Sequence, residues 1–276
     1  MKYFKNFIKP YLIWSFLIIV IPIAMIFLYA FTTSGNNLLT VSFTFDNFRR
    51  IAESVYVAVF FKSIKLGLIT VVACLFLGYT FAFIISRFKE SVQDILILIV
   101  TIPMWINLLL RTYAWMSILS YNGIMNSLLM KIGLPPIFDI YTDYAVIIGL
   151  ICNFLPFMII PIHTSLSKMD KSLIEASYDL GATPIQTFFK VTLKLSMPGV
   201  INGSIMVFLL SISTFVIPKL LGGGQYVLIG NLIENQFISV GDWNFGSAVS
   251  LILAIIILVL ISVMKKLDID GMQKGA

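Results

Sequence analysis

Charge is what this chain has least of. Only 12% of its 276 residues are Asp, Glu, Lys or Arg, against roughly a quarter in soluble domains. A chain so poor in charge cannot coat a water-soluble core, and at 59% hydrophobic residues its natural solvent is lipid. Histidine is nearly missing: His163 stands alone, which leaves little material for a His-based zinc site or a Ser/His triad. The two cysteines, Cys74 and Cys152, lie in apolar runs without C-x-x-C spacing and read as small hydrophobes, with no metal site implied. No G-x4-G-K-[ST] phosphate loop occurs, so nothing here cradles a nucleotide. No Asp or Glu falls deep inside an apolar run, which argues against the acidic relays of many secondary transporters and channels. It also argues against a membrane-embedded enzyme using paired carboxylates.

What the chain does have is long apolar runs, at about 11–31, 64–86, 95–119, 145–166, 198–220 and 246–264, each near the ~20 residues that a bilayer demands. Lys2, Lys5 and Lys9 before the first run resemble the charged start of a signal peptide. That run is long enough to span, however, and no A-x-A cleavage site follows, so it reads as the first membrane helix. All six runs must be helical, because lipid offers the backbone no partner. Pro22, Pro103, Pro156, Pro161 and Pro218 fall within them or near their ends and predict kinks or irregular packing. With both termini on one face of the membrane, that face collects twelve Lys and Arg residues (Lys2, Lys5, Lys9, Arg87, Lys89, Lys168, Lys171, Lys190, Lys194, Lys265, Lys266 and Lys274). The other face receives six (Arg49, Arg50, Lys62, Lys65, Lys131 and Lys219). The excess places the termini in the cytoplasm. The net charge of +6 is therefore a topology signal, and no nucleic-acid partner is implied.

The longest polar interruption, at about 167–197, then faces the cytoplasm. Ser172 followed by Glu175 predicts a capping box at a helix start. Gly181 predicts that helix's end. Thr183-Pro184-Ile185-Gln186 predicts a second helix with Thr183 as N-cap, Pro184 at its first position and Gln186 as the box partner. Two capped helices meeting at a tight corner make a shaped projection. Glu175 and Asp179, one turn apart, give it an acidic face.

Glu175-Ala176-Ser177, then Gly181, Val191 and Leu193, resembles the EAA-x3-G-x9-I-x-L-P loop of ABC importer permeases. Ser177 replaces the second alanine and Lys194 the final proline, with Pro198 a turn further on. The resemblance implies an all-α membrane protein with six transmembrane helices, the type I ABC importer permease (MetI-like) fold in one permease domain. It also implies a coupling helix that inserts into a groove on a separate ATPase subunit, with Ser172, Glu175, Ala176, Ser177, Asp179, Gly181, Thr183 and Pro184 carrying the contact. ATP and Mg would sit on that ATPase, leaving this chain without a cofactor. Leu221-Gly222-Gly223-Gly224-Gln225 resembles an ATPase signature, but without a phosphate loop and on the outer face it reads as a flexible helix end.

Pro103-Met104-Trp105-Ile106-Asn107, Arg111-Thr112-Tyr113-Ala114-Trp115 and Gly230-Asn231-Leu232-Ile233-Glu234-Asn235-Gln236-Phe237 extend the similarity to the first permease of spermidine/putrescine ABC importers. Implied partners are a second homologous permease, two copies of an ABC ATPase and an extracytoplasmic polyamine-binding protein, in a bacterial cytoplasmic membrane. Helical spacing places Asn107, Arg111 and Trp115 on one face of the third span, and an intramembrane arginine is a functional suspect. Trp105, Asn107, Arg111, Tyr113, Trp115 and Asn153 are the candidate path residues, aromatic faces and carbonyls suiting a polycation. Asn231, Glu234 and Asp242 are candidate external contacts. The segment around Phe43–Phe48 reads as external and lying along the membrane, and Tyr226–Phe237 as an amphipathic interfacial helix. Arg111 keeps open a permease for another solute, such as an organic anion.

Overall fold

The computed structural model describes residues 2–33, 42–136, 139–224 and 226–273. They form helices α1 (Lys2–Ala30), α2 (Asp46–Ile51), α3 (Ser54–Ile85), α4 (Glu90–Trp105), α5 (Leu108–Leu119), α6 (Ile124–Lys131) and α7 (Asp143–Ser167). A second run follows: α8 (Lys171–Asp179), α9 (Pro184–Thr187), a π-turn (Phe188–Thr192), α10 (Leu193–Leu195) and α11 (Met197–Ser213). The last elements are α12 (Val216–Leu221), α13 (Ile229–Glu234), a second π-turn (Asn235–Val240) and α14 (Trp243–Gln273). Among the described residues the β pairing is confined to an isolated bridge between Thr32 and Phe43.

Three helices are long and apolar enough to cross a bilayer unbroken: α3, α7 and the Trp243–Val263 part of α14. Two bent pairs share that character, α4 with Leu108–Lys131 at 94° and Pro184–Leu195 with α11 at 62°. Trp14–Ala30 of α1 is a shorter apolar helix. The third predicted span is therefore not one helix over 95–119. It ends at Trp105 after Pro103, and Asn107 starts a new helix, its Oδ1 accepting from the Leu109 N–H at 2.8 Å. The fifth run, 198–220, also divides: Thr214 is extended and α12 restarts with Pro218 in its first turn, where the missing N–H costs nothing.

Packing divides the chain into two compact units. In the unit of Met1–Phe60 with Leu232–Ile257, two asparagines finish α1. Asn47 Nδ2 donates to the carbonyls of Ala30 and Thr32, and Asn244 Nδ2 to those of Tyr29 and Thr32, at and just past the end where a helix runs out of its own donors. The segment expected to lie as an external stretch contains α2, whose Arg50 pairs with Asp242 at 2.7 Å and stacks 4.2 Å over the Phe245 ring.

In the unit of Phe61–Asn231 with Leu258–Ala276, α7 is the core element. Met158, fully buried, fills the space left by two glycines. A Cβ on Gly78 of α3 would lie 2.8 Å from Met158 Cγ, and one on Gly203 of α11 2.8 Å from its Sδ. Small residues at such crossings let helices approach without a hydrophobic driving force. Gly199 is tighter still, its Cβ position being 2.5 Å from the Pro161 carbonyl oxygen and 2.9 Å from Ile162 Cα. These are backbone atoms that cannot step aside. Gly199→Val is expected to destabilise the fold by about 3 kcal/mol, the upper range for overpacking, read as a lowered Tm in detergent. An unchanged Tm would contradict the α7–α11 crossing.

Tyr226–Phe237 is helical only from Ile229 onward, and most of its apolar side chains pack inward. Tyr226, Leu228, Ile229 and Leu232 are buried, the Ile229 N–H donates to Ser63 Oγ at 2.9 Å, and Gly230 closes against the Ser213 carbonyl, 2.6 Å from its Cβ position. The glycine run before it is a turn with Gly223 and Gly224 at positive φ; Gln225 lies outside the described residues.

Candidate functional site

The polar interruption folds as two short helices joined at a fixed corner. The first starts earlier than Ser172 and Glu175 predict. Asp170 is the N-cap of α8, its Oδ1 accepting from the Ser172 N–H at 2.9 Å, and that backbone hydrogen bond holds the Asp170 carboxyl below its ordinary range. Because its folded value is depressed, this cap is complete above the ordinary carboxylate range and is lost as pH falls through the lowered value. Ser172 and Glu175 are both exposed and form no capping box. Asp170 wins because the helix begins at Lys171, which makes Ser172 the second helical residue, and because a carboxylate suits the positive end of the helix dipole.

The other expectations about this corner hold at the level of geometry. Gly181 takes φ +79°, its N–H donating to the Tyr178 carbonyl at 2.8 Å and that of Ala182 to Ser177 at 3.0 Å. This is the double closure of a Schellman end. Thr183 Oγ1 then accepts from the Gln186 N–H at 3.3 Å while Gln186 Oε1 accepts from the Thr183 N–H at 3.0 Å, with Pro184 at the first position.

Ser177, the departure from the alanine pattern, is buried and joins the helices. Its hydroxyl donates to the Ile174 carbonyl at 2.7 Å, so the 2.8 Å contact with Thr187 Oγ1 is donated by Thr187, each hydroxyl having one proton. Glu175, Ala176, Asp179, Thr183 and Pro184 are exposed around it. So are large apolar side chains that the sequence reading passed over: Leu173, Tyr178, Leu180 at 88%, Ile185 at 71% and Phe189. The signal was available, since apolar residues interrupt an otherwise polar stretch. Exposed apolar clusters of this kind mark contact sites for protein or membrane.

From this projection the chain runs through the π-turn to Ser196, where the 62° bend falls. The bend sits two residues past Lys194, and Pro198 occupies the start of α11.

The candidate path residues are dispersed. Trp105 closes α4 and is exposed; Asn107 caps α5, so the predicted Asn107–Arg111–Trp115 face exists only as Arg111 and Trp115 on α5, with Asn107 accepting the Arg111 N–H through its carbonyl. Tyr113 is exposed and Trp115 half-buried against the core. Arg111 Nε and Nη1 are buried and have no hydrogen-bond partner among the described residues. Asn153 lies fully inside α7's core face, its Nδ2 donating to the Gly149 carbonyl at 2.8 Å. Of the candidate external contacts, Asn231 is buried and donates at 2.8 Å to the Phe215 carbonyl, which also accepts the Lys219 N–H at the start of α12. Asp242 caps α14, accepting from the Phe245 N–H at 3.0 Å while paired with Arg50, and Glu234 is half-buried. Asn107 and Asp242, which look available in sequence, are thus used up at helix starts, and Asn153 and Asn231 on backbone carbonyls inside the protein.

Comparison with known proteins places this architecture. Residues 74–268 match the family model described as "Binding-protein-dependent transport system inner membrane component". The chain is 38% identical over 246 residues, 88% of this chain and 90% of the relative, to the spermidine/putrescine transport system permease protein PotB of Escherichia coli (strain K12). Its fold is similar to a chain of a bacterial ABC transporter that imports the acidic polysaccharide alginate, with TM-score 0.78 at 16% identity over 96% of this chain and 94% of that one. A second structure of a bacterial alginate transporter, in complex with a periplasmic protein bound to alginate pentasaccharide, gives TM-score 0.75 at 18% identity over 95% of this chain and 92% of that one. The chain belongs to the inner membrane components of binding-protein-dependent transport systems, and is the permease subunit of an ABC importer, with the ATPase a separate subunit.

Proposed function

We propose that this permease carries polyamines of the spermidine/putrescine class into a bacterial cell. The observation that carries this reading is the 38% identity to a PotB protein sustained over 88% of the chain. In this reading the chain lies in the cytoplasmic membrane with both termini inside. It pairs with a second, homologous permease and two copies of an ABC ATPase, which hold ATP and Mg, and receives its solute from an extracytoplasmic polyamine-binding protein. The α8–α9 projection is the coupling element. Asp170, the Schellman end at Gly181, the Thr183–Gln186 box and the Ser177–Thr187 bond make it stiff, and Leu180 and Ile185 give it an apolar face to bury. ATP closes the ATPase dimer, the projection moves with it, and the spans reorient between outward and inward access.

Polyamines are polycations at neutral pH, and no carboxylate lies deep within the spans to trap them. Exposed aromatic rings at Trp105 and Tyr113 supply weak cation–π contacts, worth about 0.5–1 kcal/mol each. A path of weak sites lets a cation leave as readily as it enters. One observation favours a different solute: the unpartnered buried nitrogens of Arg111 suit an organic anion. Uptake of labelled spermidine into vesicles bearing the full complex decides between them. Excess putrescine is expected to suppress the signal at least about tenfold, the scale of a 1.4 kcal/mol preference, while a dicarboxylate leaves it unchanged. Suppression by the dicarboxylate alone would overturn the polyamine reading.

A further inference from the structure

The stiff α8–α9 projection is joined to the rest of the chain by a soft piece. Phe188–Thr192 is a π-turn, a widened segment with one extra residue per turn that commonly marks a functional irregularity. Four residues later comes the bend at Ser196. A push on the projection would be absorbed in this joint unless something holds it.

A single side chain from α3 touches both ends of the joint. The Tyr79 ring packs edge-on against Phe188, the first residue of the π-turn, with centroids 5.7 Å apart and planes at 86°. Its hydroxyl lies 2.9 Å from Ser196 Oγ at the bend. Ser196 donates its own proton to the Leu193 carbonyl at 3.1 Å, so the Tyr79 hydroxyl is the donor to Ser196. Ser196 is fully buried, which shields that bond from competing water. Phe83, one turn along α3, stacks with Tyr79 and meets Phe188 at 5.4 Å and 88°, and the Arg87 guanidinium lies 4.7 Å over the Phe83 ring. On the far side of the bend, α11 is locked to α7 at Gly199 and Gly203.

We propose that Tyr79 is a splint: a positioning residue that bridges the π-turn, ring to Phe188 and hydroxyl to Ser196, so that movement of the projection passes to α3 and α11 without being lost in the joint. This rests on the reading of α8–α9 as the ATPase-docking element. The splint predicts a defect of coupling, separate from folding and docking.

Tyr79→Phe keeps the ring contact and removes only the hydroxyl; Ser196→Ala removes the acceptor. The reconstituted full complex is assayed for solute imported per ATP hydrolysed, with amine-reactive cross-linking of the exposed native Lys190 to the ATPase as the docking readout. Each single substitution is expected to lower the import-to-hydrolysis ratio about fivefold, the scale of one buried hydrogen bond. The double substitution is expected to lower it no further, since both remove the same bond. Cross-linking yield stays at the starting level. A purely structural role would reduce the amount of folded complex and leave the ratio unchanged, and that outcome overturns the splint, as does strict multiplication of the two single effects. Absence of cross-linking without the Tyr79 substitution would instead overturn the docking reading and the splint with it.

Discussion

Gly181→Pro is expected to abolish solute uptake while leaving the protein in the membrane. Gly181 sits at φ +79°, where proline, fixed near −65°, cannot go. The substitution also removes the N–H that donates to the Tyr178 carbonyl at 2.8 Å. A cost of ~3 kcal/mol or more, at 1.4 kcal/mol per tenfold, lowers the population of the formed corner about a hundredfold. The position allows a graded control, because a Cβ at Gly181 would meet nothing within 4 Å. Gly181→Ala therefore suffers only the left-handed backbone penalty, about 1–2 kcal/mol, and Gly181→Asn less, asparagine tolerating that region. Uptake is expected to fall in the order Gly, Asn, Ala, Pro at equal membrane content. Undiminished uptake in the proline variant would remove the rigid corner from the mechanism.

The corner was legible because its signals are local. Thr183, Pro184 and Gln186 satisfy one another within four residues, and Gly181 needs only its own backbone angle, so no distant packing can overrule them. The start of α8 was misplaced by two residues because Asp170 and Ser172 are both good caps. The choice between them depends on where α7 releases the chain, at Ser167, which is a tertiary fact. The 94° break after Trp105 was hidden for a different reason. Hydropathy sums residues without regard to direction, so α4 and α5 read as one span although Pro103 and Asn107 stand where a stop and a start belong. The inward packing of Tyr226–Phe237 was hidden by the same blindness. An alternation of apolar and polar residues predicts a half-wet helix, but the polar Asn231 is itself buried, donating to the Phe215 carbonyl beside buried Ile229 and Leu232. Arg111 shows the limit from the other side: sequence marks it as costly in lipid, and the structure leaves two of its nitrogens without a partner among the described residues.

Leu180→Glu is expected to detach the ATPase without unfolding the permease. Leu180 occupies the C-cap of α8 beside Gly181 and is 88% exposed, so its side chain contributes little to this chain's own packing. Substitutions at such positions change stability by no more than about 0.5 kcal/mol, and the Tm in detergent is expected to stay put. Its exposure has a different meaning on a projection stiffened at both ends. A large apolar side chain held rigidly at a protruding corner has already given up the freedom that binding would otherwise remove, and such anchors contribute 2 kcal/mol or more to an interface. Replacing it with a carboxylate buries an unpaired charge in the contact, and ATPase retention on co-purification is expected to drop at least about thirtyfold, the equivalent of 2 kcal/mol. Ile185→Glu, on the far side of the corner and 71% exposed, tests whether both faces engage. Equal losses at the two positions require a groove that wraps the corner, whereas loss at Leu180 alone places the contact on α8. Full retention in both variants would mean that the apolar face meets the lipid headgroups. Membrane depth of the loop, measured by quenching of a fluorophore at Glu175→Cys, would then shift on substitution while ATPase binding did not.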